Sequence, residues 1–112
     1  MSADGGGVPT LRLDKFLWFA RLARTRSAAA RLCIEGRIAI AGVPVSKPHQ
    51  AVHVGDWITM EQGRWRRRLR VMTLGERRTG AAEARQLYFE PEPPQPIPVE
   101  PWISLLEEEA SA

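Results

Sequence analysis

Residues 11–36 read LRLDKFLWFARLARTRSAAARLCIEG, and their spacing decides the fold. Leu13, Phe16, Leu17 and Ala20 stand at i, i+3, i+4 and i+7, one apolar face of a helix that the pattern opens at Leu11. Asp14 lies in its first turn, where a negative charge suits the helix dipole. Arg24-Thr25 interrupts the pattern, and Thr25 or Ser27 caps a second helix. That helix runs to about Glu35 with Ala28, Ala29, Leu32 and Cys33 on one face, and Gly36 is placed to stop it.

Beyond Gly36 the period changes to two. Ile38 and Ile40 alternate with Arg37, Ala39 and Ala41; Gly42 turns the chain; Val43 and Val45 continue it. Lys47-Pro48 interrupts strand pairing, Val52 and Val54 make a short extended piece, and Gly55-Asp56 turns into a strand from Trp57 to Glu61. Gln62-Gly63 then closes a hairpin into Trp65 to Leu74. On that last strand Arg66, Arg68 and Arg70 share one face, with Arg67, Leu69 and Val71 on the other. Ala81 to Leu87 reads as a short helical segment, and Glu90 to Pro101, with six prolines, as a stretch without regular structure. The expected architecture is α+β: two N-terminal helices packed on a short twisted antiparallel sheet over residues 11–88, flanked by a disordered leader (1–10) and a Pro-rich acidic tail (89–112) in which Trp102 can dock as an anchor.

The chain has 112 residues, which leaves room for one small domain and no large catalytic scaffold. It contains no apolar run of transmembrane length, and Met1 to Pro9 has neither the basic nor the apolar region of a secretory signal, so no membrane association is expected. Cys33 is the single cysteine, which excludes an internal disulfide and fits a cytoplasmic location. All 16 Lys and Arg lie between Arg12 and Arg85 against six acids, a net +10; from Glu90 onward there are six acids and no cation, a net −6. So basic a core suits a polyanion, and since 14 of the cations are Arg, their planar forks suit phosphates and base edges.

The residues resemble the S4 RNA-binding domain, of the type called the αL motif. The resemblance is carried by Leu11-Arg12-Leu13-Asp14-Lys15-Phe16-Leu17, Arg24-Thr25-Arg26-Ser27-Ala28-Ala29, Gly36-Arg37-Ile38-Ala39-Ile40, Val45-Ser46-Lys47-Pro48 and Val54-Gly55-Asp56, in that family's order and spacing across a core of 11–61. Residues 64–88, including Leu74-Gly75-Glu76-Arg77-Arg78 and Ala82-Glu83-Ala84, extend it to the ribosome-associated heat shock protein 15 family. The resemblance implies a partner: large-subunit rRNA on the 50S ribosomal subunit, together with peptidyl-tRNA, in rescue or quality control of stalled translation. Two differences stand out. Ala41-Gly42 occupies a turn where that family commonly has Asn-Gly, and the tail is acidic where members often carry a basic extension.

Arg24, Thr25, Arg26 and Ser27 sit at a helix start, where backbone amides and the dipole already favour phosphate, and Arg31 follows one turn on. Arg12 and Lys15 come from the first helix, and the resemblance sets them beside this group. Arg37, Lys47, His49 and Gln50 extend the surface, whereas Arg21 is out of register and reads as a solvated charge. A second basic strip, Arg64, Arg66, Arg67, Arg68 and Arg70 around Trp65, reads either as a phosphate-tracking surface with Trp65 stacking on a base, or as an edge strand kept from self-pairing by charge. His49 and His53 lack the further ligands of a zinc site, Gly5-Gly6-Gly7 is no phosphate loop, and Asp14 with Glu35 is no catalytic pair. No cofactor, metal or enzymatic activity is expected, and a monomer is. The alternatives are a targeting subunit of an RNA-modifying enzyme, since S4 domains are often appended to such enzymes, and a small DNA-binding regulator in which two short helices imitate a helix-turn-helix; the strands after Gly36 argue against the latter.

Overall fold

The computed structural model describes residues 8–98; the first seven residues of the expected leader, and the tail from 99 on with Trp102, lie outside the described residues. The N-terminal helix is shorter than its apolar pattern. Leu11–Arg12 form a strand, β1, and α1 spans Leu13–Phe19. The reason is a partner distant in sequence: β1 pairs antiparallel with β4, Ala51–Val52 (Leu11 opposite Val52, Arg12 opposite Ala51), and this claims the backbone that the expected first turn needs. Arg12 is therefore the residue before α1 and not part of it.

The end of α1 is a Schellman closure made without glycine. Arg21 takes a left-handed φ of 57°, its N–H reaches Trp18 O at 3.1 Å, and Leu22 N–H reaches Leu17 O at 2.9 Å. Leu22, buried, completes the motif by contacting the core that Leu17 belongs to. Helix α2, Arg26–Ile34, starts as expected: the Thr25 hydroxyl accepts from Ala28 N–H at 3.0 Å. It also ends as expected, with Gly36 at φ 74° and the amides of Gly36 and Arg37 returning to Cys33 O and Leu32 O.

The remainder is an antiparallel sheet in the order β3 (Val43–Pro44), β2 (Ile38–Ile40), β5 (Trp57–Gln62), β6 (Trp65–Val71), β7 (Tyr88–Phe89). A short helix α3, Ala81–Ala84, and a 3-10 turn, Arg85–Leu87, lead into β7, which matches the helical segment expected there. Alternation splits the sheet into two faces. Ile38, Ile58, Met60, Leu69 and Val71 are buried against Leu13, Phe16, Leu17, Ala29 and Cys33. Ala39, Trp57, Thr59, Arg66, Arg68 and Arg70 turn away from the helices.

Three expectations for the second half change. Strand β6 ends at Val71 and not Leu74, because Met72 and Thr73 N–H groups bond to Leu87 O instead of continuing the ladder. Val54 is an exposed turn residue, outside β4. The proline-bearing segment is regular in part: β8, Gln95–Pro96, pairs with Trp65–Arg66, and Ile97 N–H reaches Arg64 O at 2.8 Å. Arg67 clasps that segment, its Nε and Nη2 donating to the two Glu90 oxygens at 2.9 and 2.7 Å. With β5 on one side and β7 and β8 on the other, β6 is an interior strand, so its arginines do not guard an edge.

Two predictions follow from local geometry. The β2–β3 turn, Ala41-Gly42, has positive φ at both positions (51° and 80°), a type I′ geometry that suits Asn-Gly better than Ala-Gly. Ala41→Asn should stabilise the fold by about 0.5–1 kcal/mol in urea unfolding. Cys33 is fully buried, and its burial, helped by the nearby Asp14 carboxylate, pushes the thiol from 9.0 up to about 11. The folded state therefore holds the proton more tightly than the unfolded one, a contribution complete below pH 9.0 and lost as pH rises toward 11. Ellman's reagent at pH 8 should leave the native thiol untouched and titrate one thiol once urea has unfolded the chain.

Candidate nucleic-acid interface

A buried carboxylate organises the helix-start group. Asp14 is 3% exposed, the one charged residue buried among the described residues. It accepts from Arg12 Nε at 3.1 Å and from Arg12 Nη2 at 3.0 Å, and Arg26 Nε stands 3.6 Å from its second oxygen. Both guanidiniums remain about half exposed, 50% and 43%, so each answers Asp14 with one edge and offers the rest to solvent. Asp14 thus places a residue of β1 and a residue of α2 side by side. The sequence marks it only as a first-turn acid, and nothing in its local pattern reveals the convergence.

The same point anchors the loop carrying Lys47, His49 and Gln50. Leu13 N–H donates to Gln50 O at 2.8 Å and Asp14 N–H to Pro48 O at 3.1 Å. These are amides at the start of α1, which have no acceptor within their own helix. The loop is therefore bonded across the N-terminus of α1, with Lys47, His49 and Gln50 exposed. At the start of α2, Thr25 spends its oxygen on the cap, while Arg24, Ser27 and Arg31 are exposed and their side chains make no hydrogen bond or ion pair among the described residues. Lys15 is half-buried, with its Nζ 5.8 Å from the centroid of the buried Phe19 ring.

The turn that displays Arg24 and Thr25 is held from below by side chains distant in sequence. Arg78 Nε donates to Trp18 O at 3.1 Å, and its Nη2 to Arg24 O at 3.3 Å, while its guanidinium lies 5.7 Å from the Trp18 ring. Arg21 Nε donates to Thr79 O at 2.6 Å, so Arg21 is structural. Gln62 Nε2 donates to Leu22 O at 2.9 Å. Four hydrogen bonds thus tie one exposed turn to distant segments. Of the distant partners, only Arg78 falls in the Leu74-Gly75-Glu76-Arg77-Arg78 stretch that the sequence singles out.

Arg37 does not join this group. It follows α2 at the helix's far end, about 13 Å along the axis from Thr25 at 1.5 Å per residue, and pairs with Glu35 at 3.2 Å. The second basic strip also stands apart, on the sheet face turned away from the helices, and it is rearranged relative to expectation. Arg66 pairs with Glu61 at 2.8 Å. Arg67 is on the inner face, bound to Glu90, whose hydrogen bonding raises its guanidinium further above the ordinary value. Trp65 shares the inner parity with Arg67 and lines a small pocket with Gln62, Arg67 and Pro94, so it does not stand among Arg66, Arg68 and Arg70. The ring that does is Trp57, with the Arg68 guanidinium 4.0 Å from its centroid and Arg70 5.9 Å away. Arg64 is exposed at the hairpin turn.

His53 is tied to Asp56, its backbone N–H donating to Oδ2 at 2.8 Å, and His49 lies in the other loop. Among the described residues no group of three or more His, Cys, Asp or Glu could hold a metal ion, and no helix is long and apolar enough to cross a membrane.

Comparison with known proteins agrees with this layout. The S4 domain model matches residues 11–58, which hold β1, both helices, the Lys47 loop and the start of β5. A heat shock protein 15 homolog from Aeromonas salmonicida is 42% identical over 82 residues, covering 73% of this chain and 61% of its own length. An RQC P-site tRNA stabilizing factor from Listeria innocua is 41% identical over 54 residues, 48% of this chain and 58% of that one. The chain spans about three fifths of the length of the curated relatives it matches. A solved structure, described as a trimeric structure of Vibrio cholerae heat shock protein 15, superposes with a TM-score of 0.70 at 33% identity, covering 93% of this chain and 94% of that one. With the S4 elements in order and that likeness running over nearly the whole of both chains, this chain belongs to the heat shock protein 15 family of S4-domain proteins.

Proposed function

We propose that the chain is a non-catalytic RNA-binding protein of the bacterial cytoplasm that acts as a monomer on the 50S ribosomal subunit and holds an rRNA helix or a peptidyl-tRNA in place during rescue of stalled nascent chains. The observation that carries this reading is the basic group built around Asp14, at which Arg12, Arg26 and the Lys47 loop meet. Its shape suits a structured RNA backbone. Two half-free forks stand beside a helix N-terminus, Ser27 is exposed in its first turn, and the supporting turn is fixed before the ligand arrives. The name of the Listeria innocua relative, a factor that stabilises P-site tRNA, points the same way, as does the heat shock family itself.

In this mechanism Arg12 and Arg26 grip adjacent phosphates. Arg24, Lys15, Arg31 and Lys47 add charge around them, and Ser27 with the amides of Arg26 and Ser27 supplies short-range donors. Thr25 contributes by holding the helix start in shape. His49 and Gln50 extend the surface along the loop, and Arg37 is a peripheral contact at most. No group has to change its bonding, so the work is positional.

Co-sedimentation with separated ribosomal subunits over a series of salt concentrations tests the reading. The wild-type chain should pellet with the large subunit and be released by salt. The double variant Arg24→Ala, Arg26→Ala should bind at least about tenfold more weakly, with a salt slope shallower by about 1.4–1.8, two phosphate contacts' worth. Equal competition by duplex DNA, or retention of the variant at wild-type strength, would overturn it.

Asp14 gives a sharper test, because two accounts predict opposite signs. If the surface were merely a cloud of charge, Asp14→Asn would raise RNA affinity by removing a negative charge. If Asp14 positions Arg12 and Arg26, the same change should lower affinity several-fold. It should also cost about 1–2 kcal/mol of stability, less than the loss of a fully buried pair because both guanidiniums are half exposed and screened.

A further inference from the structure

The sheet face turned away from the helices has no packing partner among the described residues, yet it is not an ordinary solvated face. Register places Trp57 of β5 opposite Arg70 of β6, and Arg70 opposite Phe89 of β7, so that three strands carry a continuous row of ring, guanidinium and ring. Beside this row, Arg68 lies over the Trp57 ring at 4.0 Å, opposite Thr59 in the ladder. Phe89 is 52% exposed, and among the described residues nothing covers this large apolar ring. Arg70 spends only its Nε, on Gly55 O at 3.3 Å.

The charge on this face is equally uneven. Glu61 is taken by Arg66, and Glu35 by Arg37. Arg68 and Arg70 have no carboxylate partner among the described residues. What remains is a flat surface with two unneutralised guanidiniums and two rings, on the opposite side of the sheet from the Asp14 group. Both strands are already paired on both edges, so a peptide cannot add to the ladder there as another strand. A partner must be read by side chains, and the ones available are π-faces and cations, the pair of features that recognises unpaired nucleotides.

We propose that this face, built from Trp57, Arg68, Arg70 and Phe89, binds a short single-stranded RNA segment of two or three nucleotides. One base stacks on Phe89. A second stacks on the outer plane of the Arg68 guanidinium, which is itself stacked on Trp57. The free Nη groups of Arg70 between them take the linking phosphate. Adjacent strands are about 4.8 Å apart, so the rings of β5 and β7 lie about 10 Å apart, a span that two or three nucleotides bridge. The site is separate from the helix-start surface and does not depend on it. A protein carrying both can hold a structured RNA on one side and an unpaired stretch on the other.

The test uses the full chain and a fluorescein-labelled decauridine, with anisotropy as the readout and large-subunit co-sedimentation in parallel. The pair Arg68→Ala, Phe89→Ala changes two exposed side chains, and its fold is checked by urea unfolding. Its affinity for decauridine should fall at least about fivefold, the low end of what losing one stacked base costs, while large-subunit binding at the helix surface stays within about twofold. The variant Arg24→Ala, Arg26→Ala should show the reverse. Photocrosslinking with a 4-thiouridine-substituted decamer supplies a second readout, with adducts expected on peptides holding Trp57 or Phe89. Decauridine binding that is absent, or that is unchanged by Arg68→Ala, Phe89→Ala, would overturn the proposal, as would crosslinks confined to residues 12–31.

Discussion

A carboxylate taken out of water must find charged or hydrogen-bonding partners, and in this domain that demand falls on Asp14. Its two oxygens are met by Arg12 from the strand before α1 and by Arg26 from the first residue of α2. The adjoining amides of Leu13 and Asp14 recruit the backbone of the Lys47–Gln50 loop. Three segments far apart in the chain are brought to one point by a single acid, and the cations they carry come with them. The surface charge is in that sense a by-product of satisfying the interior. Arg is the residue that can do both, since its fork can bond a carboxylate on one edge and leave the other free.

How legible this was depends on the range of the interaction. Both helices, the Thr25 cap, the Gly36 stop, the β5–β6 hairpin and the parity of Arg66, Arg68 and Arg70 are set by neighbours within a few residues, and the period and turn chemistry of the sequence show them. What pattern could not show is whatever a distant segment decides. Leu11 and Arg12 continue the helical period perfectly well, but pairing with Ala51–Val52 takes them into a strand. The prolines after Glu90 forbid a long strand but not a two-residue one, and the Arg67–Glu90 clasp across 23 positions holds it in place. The same reason explains which tryptophan stands beside the outward-facing arginines. Trp65 is surrounded by arginines in sequence, but alternation sends it to the other face, and cross-strand register brings Trp57 to Arg68 and Arg70 in its stead.

The two candidate surfaces differ in how they are built. The helix-start surface uses donors fixed by caps, tethers and a buried acid, an arrangement suited to a rigid backbone of known shape. The sheet face uses planes, which tolerate any base and ask only that it be unstacked. Among the described residues the cations are sorted accordingly: those around α2 stand free or share Asp14, Arg37, Arg66 and Arg67 are matched with Glu35, Glu61 and Glu90, and those beside Trp57 are unmatched. The basic excess of the first 85 residues is thus divided between ligand surfaces and clasps, which the net charge alone does not distinguish.

The hold of Arg78 and Thr79 on the α1–α2 turn carries a consequence for how the protein comes into being. Helix α1 has seven residues and α2 nine, both too short to persist in isolation. The turn between them is secured by contacts reaching 54 to 60 positions downstream. During its own synthesis the chain must therefore release the stretch around residue 79 before its N-terminal helices can settle into their final geometry. The α1–α2 turn, although encoded within the first quarter of the sequence, is among the last parts to take its final form. A chain whose translation stops before that stretch emerges carries all of the helix-start cations but not the clasp that orders them.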